Sequence, residues 1–143
     1  GLPMIRTHEI RLTELDAVRL ERALMELLKG TPHEPQGATE LESLLDAAAI
    51  VPSSSIDPNV VTMNSTVVLE ACPSGERTTL TLVYPKDADP ARSQVSVMSP
   101  VGRALLGARA GDLLRVLVPG HAEREFRLLE LSYQPEANGR FDL

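Results

Sequence analysis

Aromatic residues are nearly absent: the 143 residues hold no tryptophan, two tyrosines and two phenylalanines. That inventory excludes any site whose walls need several rings. Cysteine is as scarce, with Cys72 alone, so an internal disulfide and a paired-thiol metal or redox site are both out of reach. Cys72 reads as a small, half-buried residue beside a turn. No apolar run approaches the roughly 20 residues needed to span a bilayer, and no basic stretch followed by an apolar segment marks the amino terminus as a secretion signal. The expectation is a cytoplasmic protein without a membrane role. Basic residues are outnumbered, with 14 Lys and Arg against 20 Asp and Glu for a net charge of -6 and a pI near 5.0. Affinity for nucleic acid comes largely from cations that neutralise phosphates, so direct recognition of DNA or RNA is not expected. An acidic chain is better suited to meeting a basic protein surface.

What is present is enough apolar material, 43% of the chain, to bury one core with a helical appendage. Taking Met4 as the first residue of the fold, residues 4–51 read as an antiparallel helical hairpin, a short coiled coil. Thr13 is placed to cap the first helix with Asp16 three positions on, and Ala17, Leu20, Leu24 and Leu27 recur at helical spacing. Lys29 and Gly30 supply a basic last turn and a stop. Thr39 and Glu42 form a capping-box pattern for the second helix, whose stripe is Leu41, Leu44, Leu45, Ala48 and Val51, ended by Pro52. A connection as short as 30–38 leaves such helices antiparallel.

Residues 52–59, with Pro52, three serines and Pro58, lack periodicity and read as a linker. From 60 to 143 the period changes to that of strands. Thr66 to Ala71 and Thr78 to Tyr84 flank a turn at Pro73-Ser74-Gly75. Val95 to Met98 leads into a short helix from about Pro100 to Leu106, and Leu113 to Val118 and Glu125 to Tyr133 flank Pro119-Gly120. The fold class expected is α+β: a helical hairpin followed by an antiparallel sheet with one short helix.

Motifs for catalysis are missing. His8, His33 and His121 are scattered without metal-ligand spacing, and no phosphate-binding glycine loop occurs. Ser53, Ser54 and Ser55 sit between prolines without the G-x-S-x-G setting that exposes a nucleophile. Neither a catalytic residue, a metal nor a cofactor is expected.

Two segments carry a specific signal: Val60-Val61-Thr62-Met63-Asn64-Ser65, and Ser96-Val97-Met98-Ser99-Pro100-Val101-Gly102-Arg103-Ala104-Leu105-Leu106-Gly107. Their pattern resembles the carboxy-terminal, FKBP-like domain of the bacterial Gre transcription factors, and the whole chain resembles the short-coil relatives in that family. The resemblance implies an FKBP-like domain at 60–143 and bacterial RNA polymerase as partner, bound at the rim of its secondary channel. Carried over by position, Met98, Ser99 and Pro100 would meet the polymerase, with Arg103 as an ion-pairing neighbour. Some Gre proteins have Asp where Met98 stands, which implies an apolar contact here in place of an ionic one. Read from the residues alone, Ser99 caps the short helix, Pro100 occupies its first position, and Leu105 and Leu106 fill the core.

Gre factors also bring two acids at the hairpin tip to a catalytic magnesium. Here the tip reads Gly30-Thr31-Pro32-His33-Glu34-Pro35-Gln36-Gly37, and Glu34 is its one carboxylate, where magnesium is usually anchored by one or two together with phosphates. The hairpin is also markedly shorter than a Gre coil. The FKBP-like fold raises prolyl isomerisation, which that family performs in an aromatic-walled pocket this chain lacks the rings to build. The expectation is therefore a regulator, not an enzyme, that acts as a monomer and competes with Gre-type factors without stimulating cleavage. The alternative is an active cleavage or elongation factor using Glu34. The arm carries nine acids against five bases, a net of -4, and its second helix contributes only acids, which suits docking on a basic channel entrance.

Overall fold

The computed structural model describes residues 10–29, 37–117, 120 and 122–140. His8, His33, Glu34, His121 and most of the Pro119-Gly120 turn lie outside the described residues.

Strand β1 (Arg11–Thr13) runs directly into helix α1 (Glu14–Leu28). Thr13 caps that helix as its position dictates: its hydroxyl accepts from the Asp16 amide at 3.1 Å. The stripe Ala17, Leu20 and Leu24 is buried, and Leu27 is half-buried. The helix ends at Leu28 with Lys29 as its C-cap, so no base sits inside the last turn.

Helix α2 (Ala38–Ala47) starts earlier than its sequence suggests. Gly37, not Thr39, is the N-cap, with φ at +90° and no side-chain bond. A glycine adopts that left-handed conformation without a Cβ penalty, and Thr39 falls inside the first turn. The far end also differs, because Val51 is not helical: Ala49–Val51 forms strand β2, parallel to β1 in the register Arg11 to Ala49 and Thr13 to Val51. Ile50 and Val51 are β-branched, and Pro52 disfavours helical backbone in the residue before it. The helical pair is therefore closed at its base by a two-stranded ribbon. Residues 52–59 hold a 3-10 turn at Ser53–Ser55 and a buried Ile56.

The main sheet has the order β5-β4-β3-β7-β6. It comprises β3 (Thr66–Cys72), β4 (Arg77–Val83), β5 (Gln94–Ser96), β6 (Leu113–Val116) and β7 (Arg124–Tyr133), with helix α3 (Pro100–Leu105) between β5 and β6. The architecture is α+β, as the alternation of periods implies. One pairing departs from the antiparallel expectation: β5 lies parallel to β4, Thr81 opposite Gln94 and Val83 opposite Ser96. Two proline-led 3-10 turns, Pro85–Asp87 and Pro90–Arg92, fold the chain back on itself and return it in the same direction.

A single apolar cluster joins these parts. Leu20, Leu24 and Leu41 of the helices are buried with Met63, Leu82, Val97 and Leu105 of the remainder. Burying a leucine side chain is worth about 1.5–3 kcal/mol, so the helical pair is held along its length.

Asp16 adds a polar tie at the centre of that contact. It is fully buried, and its Oδ2 accepts from the Met63 amide at 2.9 Å. Among the described residues neither its Oδ1 nor the buried hydroxyl of Tyr84 makes a well-formed hydrogen bond. Burial lifts the Asp16 carboxyl from 3.8 to about 7; Glu136 adds to the rise, and the Met63 amide, Arg19 and Thr13 oppose it. Burial, and then Asp16 itself, likewise push Tyr84 up. Between those two pH values the folded chain holds a proton that the unfolded chain has released. Asp16 therefore stabilises the fold fully below pH 3.8 and loses that contribution as the pH climbs through about 7. Asp16→Asn, which keeps an acceptor for Met63, is predicted to flatten the fall in stability over that interval, measured by denaturant melts at stepped pH. Asp16→Ala strands a buried amide and should cost about 1–3 kcal/mol at any pH.

Candidate docking surface

The two sequence segments singled out for their resemblance meet in space. The Val61 amide donates to the Ala108 carbonyl at 2.8 Å, and the Gly107 amide donates to the Val61 carbonyl at 3.0 Å. These two bonds fasten the chain just past the end of α3, while the corner at Met98-Ser99-Pro100 leads into the start of that helix.

The corner itself is dense with local bonds. Ser99 does what its position predicts: its Oγ accepts from the Gly102 amide at 3.1 Å, capping α3, and donates to the Ser96 carbonyl at 2.6 Å. Its own amide donates to the same carbonyl at 3.0 Å. The Ser96 hydroxyl accepts from the Met98 amide at 3.0 Å. Pro100 occupies the start of the helix, where a missing N–H costs nothing. Leu105 and Leu106 are fully buried, as expected of residues filling the core. Met98, Ser99, Pro100 and Arg103 are each half-buried, so all four still present surface.

Arg103 does more than border this corner. Its guanidinium donates to the Met98 carbonyl, folding the side chain back across the turn. Two glycines that sequence reasoning passed over allow the arrangement. A Cβ on Gly102 would run into the Ser96 carbonyl, and one on Gly37 would run into the Arg103 guanidinium and the Met98 carbonyl. A glycine inside a helical pattern often signals close backbone approach, and Gly102 carries that signal. Gly37 gave no comparable one, because its neighbour comes from 66 residues away in the chain.

Elsewhere the described residues offer less. A groove of about 680 Å³ runs between α1 and the turn after β4, lined by Arg19, Arg22 and Lys86 but also by Glu26 and Asp87, a mixture that selects no one ligand charge. Among the described residues no cluster of three or more His, Cys, Asp or Glu could hold a metal ion, and no helix is long and apolar enough to cross a membrane. Cys72 is free and half-buried at the end of β3.

The described residues form a helical pair packed on a mixed sheet, with a serine-capped corner between strand and helix. Comparison with known proteins makes the class specific. The family described as "Transcription elongation factor, GreA/GreB, C-term" matches residues 56–133, and the chain belongs to that family of bacterial transcription factors. It is 39% identical over 133 residues to the "Regulator of nucleoside diphosphate kinase" of Escherichia coli (strain K12), covering 92% of this chain and 95% of that one. It is 32% identical over 108 residues to "Transcription elongation factor GreA" of Geobacillus kaustophilus, covering 76% of this chain and 63% of that protein. The solved "Prokaryotic transcription elongation factor GreA/GreB from Nitrosomonas europaea" superposes with a TM-score of 0.71 at 40% identity, over 89% of this chain and all of that one.

If the corner is built as described, its two tightest points should respond differently to substitution. Ser99→Ala removes one cap and should cost about 0.5–2 kcal/mol. Gly102→Ala forces a methyl group into a backbone carbonyl and should cost at least as much, about 1–3 kcal/mol. Chemical denaturation of the two variants checks the order.

Proposed function

We propose that this protein is a regulator of transcription that docks on bacterial RNA polymerase at the rim of the secondary channel. The corner Met98-Ser99-Pro100 makes the contact, and the protein competes there with Gre-type factors without stimulating transcript cleavage. The observation that carries the reading is the preorganised corner. The backbone of the corner and the Ser99 side chain are fixed by the Ser99 cap, the Ser96 bonds and the Arg103 guanidinium, so little backbone entropy is left to lose on binding. Met98 brings an apolar contact to its centre.

Absence of cleavage is supported by the arm. Helix α1 has 15 residues, about 22 Å at 1.5 Å per residue, and its inner face is spent on the shared core. The first residue of the tip-to-α2 junction that is described, Gly37, lies on the corner, not out beyond it. The tip sequence supplies the single carboxylate Glu34, which alone is a poor anchor for a catalytic cation.

Immobilised wild-type protein is predicted to capture core polymerase, and Pro100→Glu to lose at least tenfold in affinity, the equivalent of about 1.4 kcal/mol, with its melting temperature close to wild type. Added to a backtracked elongation complex, the wild-type protein should leave the RNA 3' end intact and slow Gre-stimulated cleavage. Magnesium-dependent shortening of the RNA by this protein alone would instead establish the cleavage-factor reading through Glu34.

A further inference from the structure

The described structure brings two regions together that the sequence keeps apart: the docking corner after β5 and the first turn of α2. Gly37, the N-cap of α2, is buried and sits so close to Arg103 and the Met98 carbonyl that a Cβ there would clash with both. The next residues toward the core, Ala38 and Leu41, are fully buried in the shared apolar cluster. Lifting α2 off the corner would expose Leu41 and unpack Leu20 and Leu24 behind it, so the contact is a fixed seat.

Glu40 follows from that seat. Residues three apart lie on the same side of a helix, which places Glu40 one turn along α2 from Gly37 and its contact with the corner. It is exposed, and it makes no ion pair or side-chain hydrogen bond among the described residues. Helix α2 contains no base that would offset it.

We propose that the docking face is composite: Met98, Ser99 and Pro100 form its apolar centre, and Glu40, held beside them by the Gly37–Arg103 seat, forms an acidic rim that meets a basic patch of the same polymerase surface. The inference rests on the polymerase reading above and extends it. Arg103 is then a positioning residue, which aligns α2 with the corner through the Met98 carbonyl and need not itself touch the partner. Charges at an interface rim act chiefly on association rate and salt dependence, so the contribution of Glu40 should be largest at low ionic strength.

The test compares two charge reversals. Glu40→Lys changes the proposed rim. Glu76→Lys makes the same change at the turn before β4, whose opposite end carries β5 and the corner; six or seven residues at about 3.3 Å each put it on the order of 20 Å away. Binding of full-length wild type and both variants to core polymerase is measured at low and moderate salt, with thermal melts to confirm folding. Glu40→Lys should weaken binding on the order of tenfold at low salt, less at moderate salt, while Glu76→Lys stays within about twofold of wild type. Equal affinities for all three proteins would overturn the composite face and leave docking through the corner standing. Equal losses for both variants would also overturn it, reducing the effect to net charge. Failure of the wild type to bind at all would remove the polymerase reading and this inference with it.

Discussion

One apolar core serves both the helical pair and the sheet, and the geometry of the surface follows from that sharing. Leu20, Leu24 and Leu41 leave the helices and enter the same cluster as Met63, Leu82 and Leu105. A helical hairpin that satisfied its apolar stripes internally would be free to project. Here the stripes face the sheet, so the pair lies against it. Asp16 fixes the contact with direction as well as energy, since a bond to the Met63 amide specifies register where leucines specify only burial. Its carboxyl, lifted to about 7, shows the cost of placing such a group out of reach of water.

That constraint decides what the surface can do. With α2 pinned, Gly37 comes to rest on Arg103 and the Met98 carbonyl, and the strand-to-helix corner is braced from both sides, by α3 through Ser99 and by α2 through Arg103.

Much of this was legible in the residues. The Thr13 cap, the α1 stripe, the six later elements and the Ser99-Pro100 start of α3 all follow from local rules, because hydrogen-bonding side chains and turn residues act over three or four positions. Two of the departures share a cause. Thr39 matches a capping pattern, but Gly37, seated against Arg103, takes the cap two positions earlier. Val51 continues a helical stripe, yet pairs with Thr13 from the other end of the arm. Strand β5 runs parallel because two proline turns reverse the chain twice. The first two are settled by a partner distant in sequence, which no local pattern contains. The burial of Asp16 belongs to the same class: Thr-x-x-Asp marks a helix start and says nothing of Met63.

The candidate corner was visible as a motif with its serine cap, but the Arg103 bond across it and the seat of Gly37 against it were not. Sequence placed Arg103 beside the contact as an ionic group; the structure adds a bond from its guanidinium to the Met98 carbonyl, with α3 held tight to β5 at Gly102. The proposed function requires that two kinds of protein occupy one site in turn. The most direct measurement is displacement: labelled Gre factor bound to core polymerase, titrated with this protein. Full release of the Gre factor, with a midpoint that rises in proportion to its concentration, is the predicted result; simultaneous binding of both, or no change in the signal at any concentration, would contradict it.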